Sequence, residues 1–279
     1  MVPRAAFGFG VAVAAGAATL FLLPTCGGGS PGEGRAQPEP AVVVAAPAKV
    51  DMRGPVRKHR LLGPVIHRAK RRAPVAERRP AVLRYGASGP EVTRLQAALT
   101  RLRYWVGEHD GTYGVLTQQA VLALQGAAGL SRDGAFGPLS NAALMRARPP
   151  EARSRHGHVI EIDESKGLLL VVRDGRVQWA FHTSTGSNQP YVHPNGRTYS
   201  ADTPNGRWAI SWQYDGWREG PLGRMWRPKY FHADGIAIHG YASVPPYPAS
   251  HGCVRVSVAA MNFIWNNGLA PPGTAVWVY

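Results

Sequence analysis

Hydrophobic positions along the 279-residue chain fall into two regimes. Val92, Leu95, Leu99 and Leu102 recur at steps of three and four, the spacing that gathers side chains on one face of a helix. Ser88 followed by Glu91 has the capping-box spacing and predicts where that helix starts. Further on, Asp110-Gly111-Thr112-Tyr113-Gly114-Val115-Leu116-Thr117 is echoed by Asp133-Gly134-Ala135-Phe136-Gly137-Pro138-Leu139-Ser140. Each copy reads as a tight turn, an aromatic plug, a second glycine and a Ser or Thr cap for the next helix. Residues 82–148 are therefore expected to form a three-helix bundle pinned by two equivalent turns.

The second regime begins at His158. Val159–Asp163 and Leu168–Val172 read as strands joined by Glu164-Ser165-Lys166-Gly167, although their alternation is not strict. Asp174-Gly175 is a hairpin turn before Val177–Thr183. Trp208–Trp212, Ile236–His239 and Thr274–Val278 read as further strands, and Val258–Trp265 as the one helix. Glu151–Ser154 is a short connector. The predicted fold class is α+β: a small helical bundle, then a mainly β sandwich over residues 155–279.

Composition changes the picture near the N-terminus. Residues 27–81 are rich in Pro, Ala, Arg and Gly and hold twelve Lys and Arg against four Asp and Glu, much of the chain's formal net charge of +15. Such a segment cannot bury a core and reads as an extended, disordered linker. A basic stretch can attract nucleic acid, anionic lipid or acidic wall polymer. No aromatic residues interleave with these charges, so a nucleic-acid partner is not expected. Ahead of it, Arg4 and the apolar run Phe7–Leu23 suit a signal peptide over residues 1–26, which predicts export to the cell envelope. Leu23-Pro24-Thr25-Cys26 resembles a lipoprotein signal, in which Cys26 would be lipidated and tie the protein to the membrane. Simple cleavage and an uncleaved anchor are the alternatives.

Only one other cysteine exists, Cys253. An exported protein with an unpaired thiol needs a reason for it, and reactivity is the simplest. Cys253 lies in Ser250-His251-Gly252-Cys253-Val254-Arg255, which a short Pro-containing loop separates from Ile236-Ala237-Ile238-His239-Gly240. The reactive thiolate needs a base or a positive field, and a histidine held on a strand can supply one. Gly252 clears space where a carbonyl must approach and lets successive N–H groups aim at one point, as an oxyanion site requires. His232, His239, His251 and Cys253 match no compact metal-ligand spacing, so neither a metal nor another cofactor is expected. Trp208, Trp212, Trp217 and Trp226, with Tyr230 and Phe231, read either as core packing or as a cleft wall over a substrate.

Two family resemblances follow. Residues 82–148 resemble the type 1 peptidoglycan-binding domain, through Leu95-Gln96, Asp110-Gly111, Tyr113-Gly114, Ala120-Val121, Leu124-Gln125, Asp133-Gly134 and Phe136-Gly137. Residues 156–279 resemble the L,D-transpeptidases of the YkuD type, through the upstream Ile238-His239-Gly240, the Ser250-His251-Gly252-Cys253 run and Thr203-Pro204-Asn205-Gly206-Arg207. The resemblance implies Cys253 as nucleophile and His239 as its base, oriented by the carbonyl of Gly240. It implies oxyanion N–H groups from His251, Gly252 and Cys253. Arg255, Ser250, Tyr230 and Trp226 would bind substrate, with Arg255 on either a substrate carboxylate or the loop itself. The implied partner is peptidoglycan, as tetrapeptide donor and as acceptor stem, joined 3→3 through a thioester with release of D-Ala. Carbapenem β-lactams would acylate the same thiol. An L,D-carboxypeptidase on the same donors and a non-catalytic wall-binding protein are the alternatives. The loop between His239 and Ser250 is shorter than the family's commonest spacing. Lys166-Gly167 also departs from the Gln that many members carry before the Leu.

Overall fold

The computed structural model describes residues 82–279; the expected signal peptide with Cys26 and the linker up to residue 81 lie outside the described residues. Three helices come first, α1 (Pro90–Arg101), α2 (Val115–Ala127) and α3 (Pro138–Arg146). Their starts differ from the sequence expectation. The N-caps are Gly89, Gly114 and Gly137, none with a side-chain cap bond. Thr117 and Ser140 sit inside the first turns, where their hydroxyls donate back to the carbonyls of Thr112 and Ala135.

The capping work is done by two buried glutamines. Gln96 Oε1 accepts the Gly111 N–H, and its Nε2 donates to Asp110 Oδ1, the Thr112 carbonyl and Thr117 Oγ1. Gln125 repeats the pattern with the Gly134 N–H, Asp133 Oδ1, the Ala135 carbonyl and Ser140 Oγ. A buried amide must satisfy both its oxygen and its nitrogen. Each glutamine does so by gathering one turn around itself. Gly111 and Gly134 sit at φ +71° and +66°, the left-handed region that favours glycine.

The remainder is mainly β: β1 (His158–Asp163), β2 (Leu168–Arg173), β3 (Arg176–His182), β4 (Pro190–Val192), β5 (Thr198–Ser200), β6 (Gly206–Ala209), β7 (Trp212–Gln213), β8 (Trp217–Gly220), β9 (Gly223–Tyr230), β10 (Ala237–Tyr241) and β11 (Val254–Ser257), then helix α4 (Val258–Asn266) and β12 (Ala275–Val278). One sheet has the order β3-β2-β1-β12-β6 and another β11-β10-β9-β7, with β8 added to β9; β4 and β5 form a separate hairpin. β1 runs parallel to β12 and β10 parallel to β11. The expected strand Trp208–Trp212 is divided. Its first half is β6 of one sheet and its second β7 of the other. Ile210 N–H donates to the Thr274 carbonyl and Ser211 N–H to that of Tyr230, so the chain changes sheets between these two residues.

Both faces of the first sheet are covered, which explains the uninterrupted apolar run Leu168–Val172. Leu169 and Val171 point into the sandwich with Ile160, Ile162, Ile238, Val254, Val256 and Met261. Leu168, Leu170, Val172 and Ala180 point outward and share one core with Val92, Leu95, Leu99, Tyr104 and Leu124 of the bundle. The bundle also joins the edge of β3, where the Trp105 N–H donates to the Ala180 carbonyl and the Ala180 N–H to that of Arg103. The connector is fixed by the buried Glu161 carboxylate. It accepts the N–H groups of Arg153 and Ser154 and the hydroxyls of Ser154 and Tyr279.

Candidate active site

In the parallel pair β10–β11, Ile238 lies opposite Val254 and His239 opposite Arg255. Side chains alternate between faces along a strand. Ile238, Val254 and Val256 therefore enter the sandwich core. His239, Tyr241 and Arg255 face the other way, into a cleft of about 530 Å³ that Ser250, His251 and Cys253 also line. Cys253 stands one residue before β11 and shares the parity of Arg255. A second cavity of about 560 Å³ lies between the bundle and β2 and contains neither Cys253 nor His239.

His239 is buried, and its Nδ1 lies 3.0 Å from the Gly240 carbonyl oxygen. A carbonyl only accepts, so the neutral ring carries its proton on Nδ1 and presents a bare Nε2. Burial pushes its pKa down to about 4, against the Gly240 bond, and the Arg255 guanidinium acts in the same downward sense. Burial pushes the Cys253 thiol up, while the Ala237 N–H and Arg255 pull it down. The resting pair is thus an uncharged thiol and an uncharged imidazole with a free lone pair. Among the described residues, no three His, Cys, Asp or Glu side chains are arranged to hold a metal ion.

The turn before Cys253 is held by Ser250. Its Oγ donates to the Cys253 carbonyl at 2.6 Å and accepts the Gly252 N–H at 3.0 Å. Two sequence expectations change here. The Gly252 N–H is engaged inside the turn and is not free to meet an oxyanion, which leaves the N–H groups of His251 and Cys253. Ser250 is 1% exposed and commits its hydroxyl proton to the Cys253 carbonyl, so the structure builds it into the turn itself. Gly252 has φ +129°, and a Cβ there would lie 2.8 Å from the Asp202 carbonyl oxygen, so the position takes only glycine. The exposed His251 ring meets Tyr191 edge-on, with centroids 4.6 Å apart.

Tyr230 lines the cleft, stacked on Trp212 with ring centroids 4.4 Å apart. Trp226, also expected there, does not line it. The β9–β10 register slips between Ile238 and Gly240, and Arg227 takes φ +48°. A bulge of this kind reverses which side chains face which side. Trp226 accordingly turns toward α4 and donates its indole N–H to Asn262 Oδ1. Arg255 donates from Nη1 to the Ala249 carbonyl, and its guanidinium lies 4.4 Å from the Tyr241 ring centroid. It forms no ion pair with a carboxylate among the described residues, so its charge is left for the cleft.

Two hairpins wall the cleft. β8–β9 contributes Arg218, Leu222 and Arg224, and β4–β5 contributes Tyr191, His193 and Tyr199. The second hairpin was not foreseen from sequence, although Asn195-Gly196 between the two tyrosines is the strongest short hairpin signal.

Residues 157–278 match the family model described as the L,D-transpeptidase catalytic domain, and residues 88–144 match that of a putative peptidoglycan binding domain. The solved structure of an L,D-transpeptidase from Xylanimonas cellulosilytica is 50% identical, covers 72% of this chain and 98% of its own, and superposes with a TM-score of 0.69. One from Stackebrandtia nassauensis is 20% identical over 71% of this chain and 94% of its own, with a TM-score of 0.41. A curated relative, the probable N-acetylmuramoyl-L-alanine amidase of Bacillus licheniformis, is 37% identical over 73 residues. Those residues are 25% of this chain and 21% of the amidase, so the chain spans about a fifth of the length of the curated relative it matches.

Proposed function

Because this chain belongs to the L,D-transpeptidase family of the YkuD type, we propose that it cross-links peptidoglycan stems with Cys253 as nucleophile and His239 as general base. Cys253 Sγ attacks the carbonyl that precedes the terminal D-Ala of a tetrapeptide stem. His239 Nε2 takes the thiol proton as the C–S bond forms. The N–H groups of Cys253 and His251 meet the charge that develops on the carbonyl oxygen. The C–N bond then breaks, His239 returns the proton to the departing D-Ala amine, and a thioester remains. The side-chain amine of a second stem's diamino residue attacks next. It gives a proton to His239, forms the 3→3 amide and releases the thiol, which takes that proton back.

The observation that carries this reading is His239 itself: buried, neutral, fixed by the Gly240 carbonyl with Nε2 bare, and lining the same cleft as Cys253. Gly240 thereby performs the orienting role that a carboxylate fills in other triads. Arg255 and Tyr230 receive the donor stem, Arg255 as a cation without a protein counter-ion. The peptidoglycan-binding bundle places the chemistry at the wall, outside the cytoplasm. Carbapenems acylate the thiol by the same first step, the lactam C–N bond breaking and its nitrogen taking the proton.

Incubation with tetrapeptide-bearing muropeptides tests the proposal. Cross-linked dimers and free D-Ala should appear with the wild type and neither with Cys253→Ala. Tripeptide monomers without dimers would reassign the second step to water, and equal dimer formation by Cys253→Ala would contradict the nucleophile.

A further inference from the structure

We infer that Thr203 is a positioning residue for the acyl-transfer step, its hydroxyl aiming the Cys253 N–H into the cleft; this rests on the transpeptidase reading and names a residue which that reading leaves without a role. Thr203 is buried. Its Oγ1 accepts the Gly186 N–H at 2.9 Å and donates to the Gly252 carbonyl at 2.7 Å. The second bond decides the matter. The peptide unit between Gly252 and Cys253 is planar, and in the trans form its C=O and N–H point in opposite directions. Holding the Gly252 carbonyl on Thr203 fixes the Cys253 N–H on the opposite side.

That N–H has no acceptor among the described residues, whereas the Gly252 N–H is bonded to Ser250 Oγ and the Cys253 carbonyl is held by the same hydroxyl. Both peptide planes flanking Cys253 are thus pinned by a buried hydroxyl, one by Ser250 and one by Thr203. The pinning matters because Gly252, at φ +129°, has no side chain to restrain its own dihedrals. Thr203 is anchored in turn by Gly186, where the chain passes so close that a Cβ would collide with the Ala201 carbonyl oxygen. The segment around Gly186 is itself tied to the nucleophile turn, since the Ser187 N–H donates to the Ser250 carbonyl. Thr203 does not line the cleft; it acts through the peptide it holds.

Two reactions at the same thiol separate positioning from bulk stability. Acylation by meropenem passes through a tetrahedral oxyanion. Alkylation by iodoacetamide displaces iodide at a methylene carbon and forms none. In Thr203→Val, meropenem acylation should slow roughly 10- to 100-fold while alkylation stays within about threefold of wild type, as expected when one oxyanion donor is misaligned. Thr203→Ser, which keeps the hydroxyl, should restore acylation. Unchanged acylation in Thr203→Val overturns the inference. A parallel fall of both reactions does so as well, because it marks a merely structural hydroxyl. If circular dichroism shows that Thr203→Val does not fold, Thr203→Ala gives the same two readouts with space for a water. A wild type that alkylates but never acylates overturns the transpeptidase reading along with this one.

Discussion

In the proposed mechanism, His239 governs how the rate responds to pH. With its pKa pushed down to about 4 by burial, the ring stays neutral and basic across the neutral range and loses that role only as pH falls through about 4. The acid limb of kcat/KM should therefore lie near pH 4; a limb near the ordinary histidine value would show that the ring is not buried as described. The same depression has a stability consequence. Unfolded His239 titrates near 6.5, so between about 6.5 and 4 the unfolded chain binds a proton that the folded chain refuses. Stability is complete above this window and is lost as pH falls through it. His182, held by the Pro245 carbonyl and also pushed by burial down to about 4, adds a second such term. Each should cost about 3 kcal/mol by pH 4 relative to neutral pH. Urea titrations at pH 7 and 4 would measure the net loss, to which His158, lowered by burial, adds and which Glu164, raised by burial, opposes. At Gly252 the Cβ of an alanine would meet the Asp202 carbonyl, so Gly252→Ala should reduce acylation at least about 100-fold through loss of the oxyanion geometry, a loss visible in the rate of meropenem adduct formation.

At the scale of elements, the two turn repeats stand or fall with their glutamines. Gln96→Ala or Gln125→Ala leaves a buried glycine N–H without its acceptor and takes one of two bonds from a Thr or Ser hydroxyl, and each should cost about 2–3 kcal/mol by urea denaturation. A loss under about 0.5 kcal/mol would mean that the turns hold themselves. The sequence displayed these turns clearly, because the repeat is local and its glycines are forced. It did not display what satisfies them, since Gln96 lies fourteen and fifteen residues from Asp110 and Gly111, Gln125 eight and nine from Asp133 and Gly134, and such unequal separations leave no periodic trace. β1, β2, β3, β10 and α4 were legible from apolar runs and turn residues. β9 was not: Gly223–Tyr230 holds a Gly, a Pro and three basic residues, and its place comes from pairing on both sides with β8 and β10. The bulge at Arg227 was equally hidden, and it separates Tyr230, which reaches the cleft, from Trp226, which does not. At the site, two short motifs singled out Cys253, His239 and Gly240, and the structure brings Cys253 and His239 to one cleft with the Gly240 carbonyl on the His239 ring. Thr203 was readable only as part of a motif, since its partner Gly252 lies 49 residues further along the chain.

At the scale of the molecule, the bundle and the sandwich share a core. The outer face of β2 and β3 presents Leu168, Leu170, Val172 and Ala180 to α1 and α2, and without the bundle that apolar face would be open to water. Residues 82–279 should unfold in one calorimetric transition, with van't Hoff and calorimetric enthalpies equal; residues 155–279 alone should aggregate. Two separable transitions would contradict the shared core. The bundle also reaches the loop ahead of Ser250, where Gln119 Nε2 donates to the Val244 carbonyl at 3.1 Å. The bundle and the turn that carries Cys253 are thus held in one framework. Intact-protein mass spectrometry after meropenem treatment tests that centre most directly. The account predicts a single covalent adduct on the wild type and none on Cys253→Ala; an unmodified wild type, or an equal adduct on the variant, would contradict it.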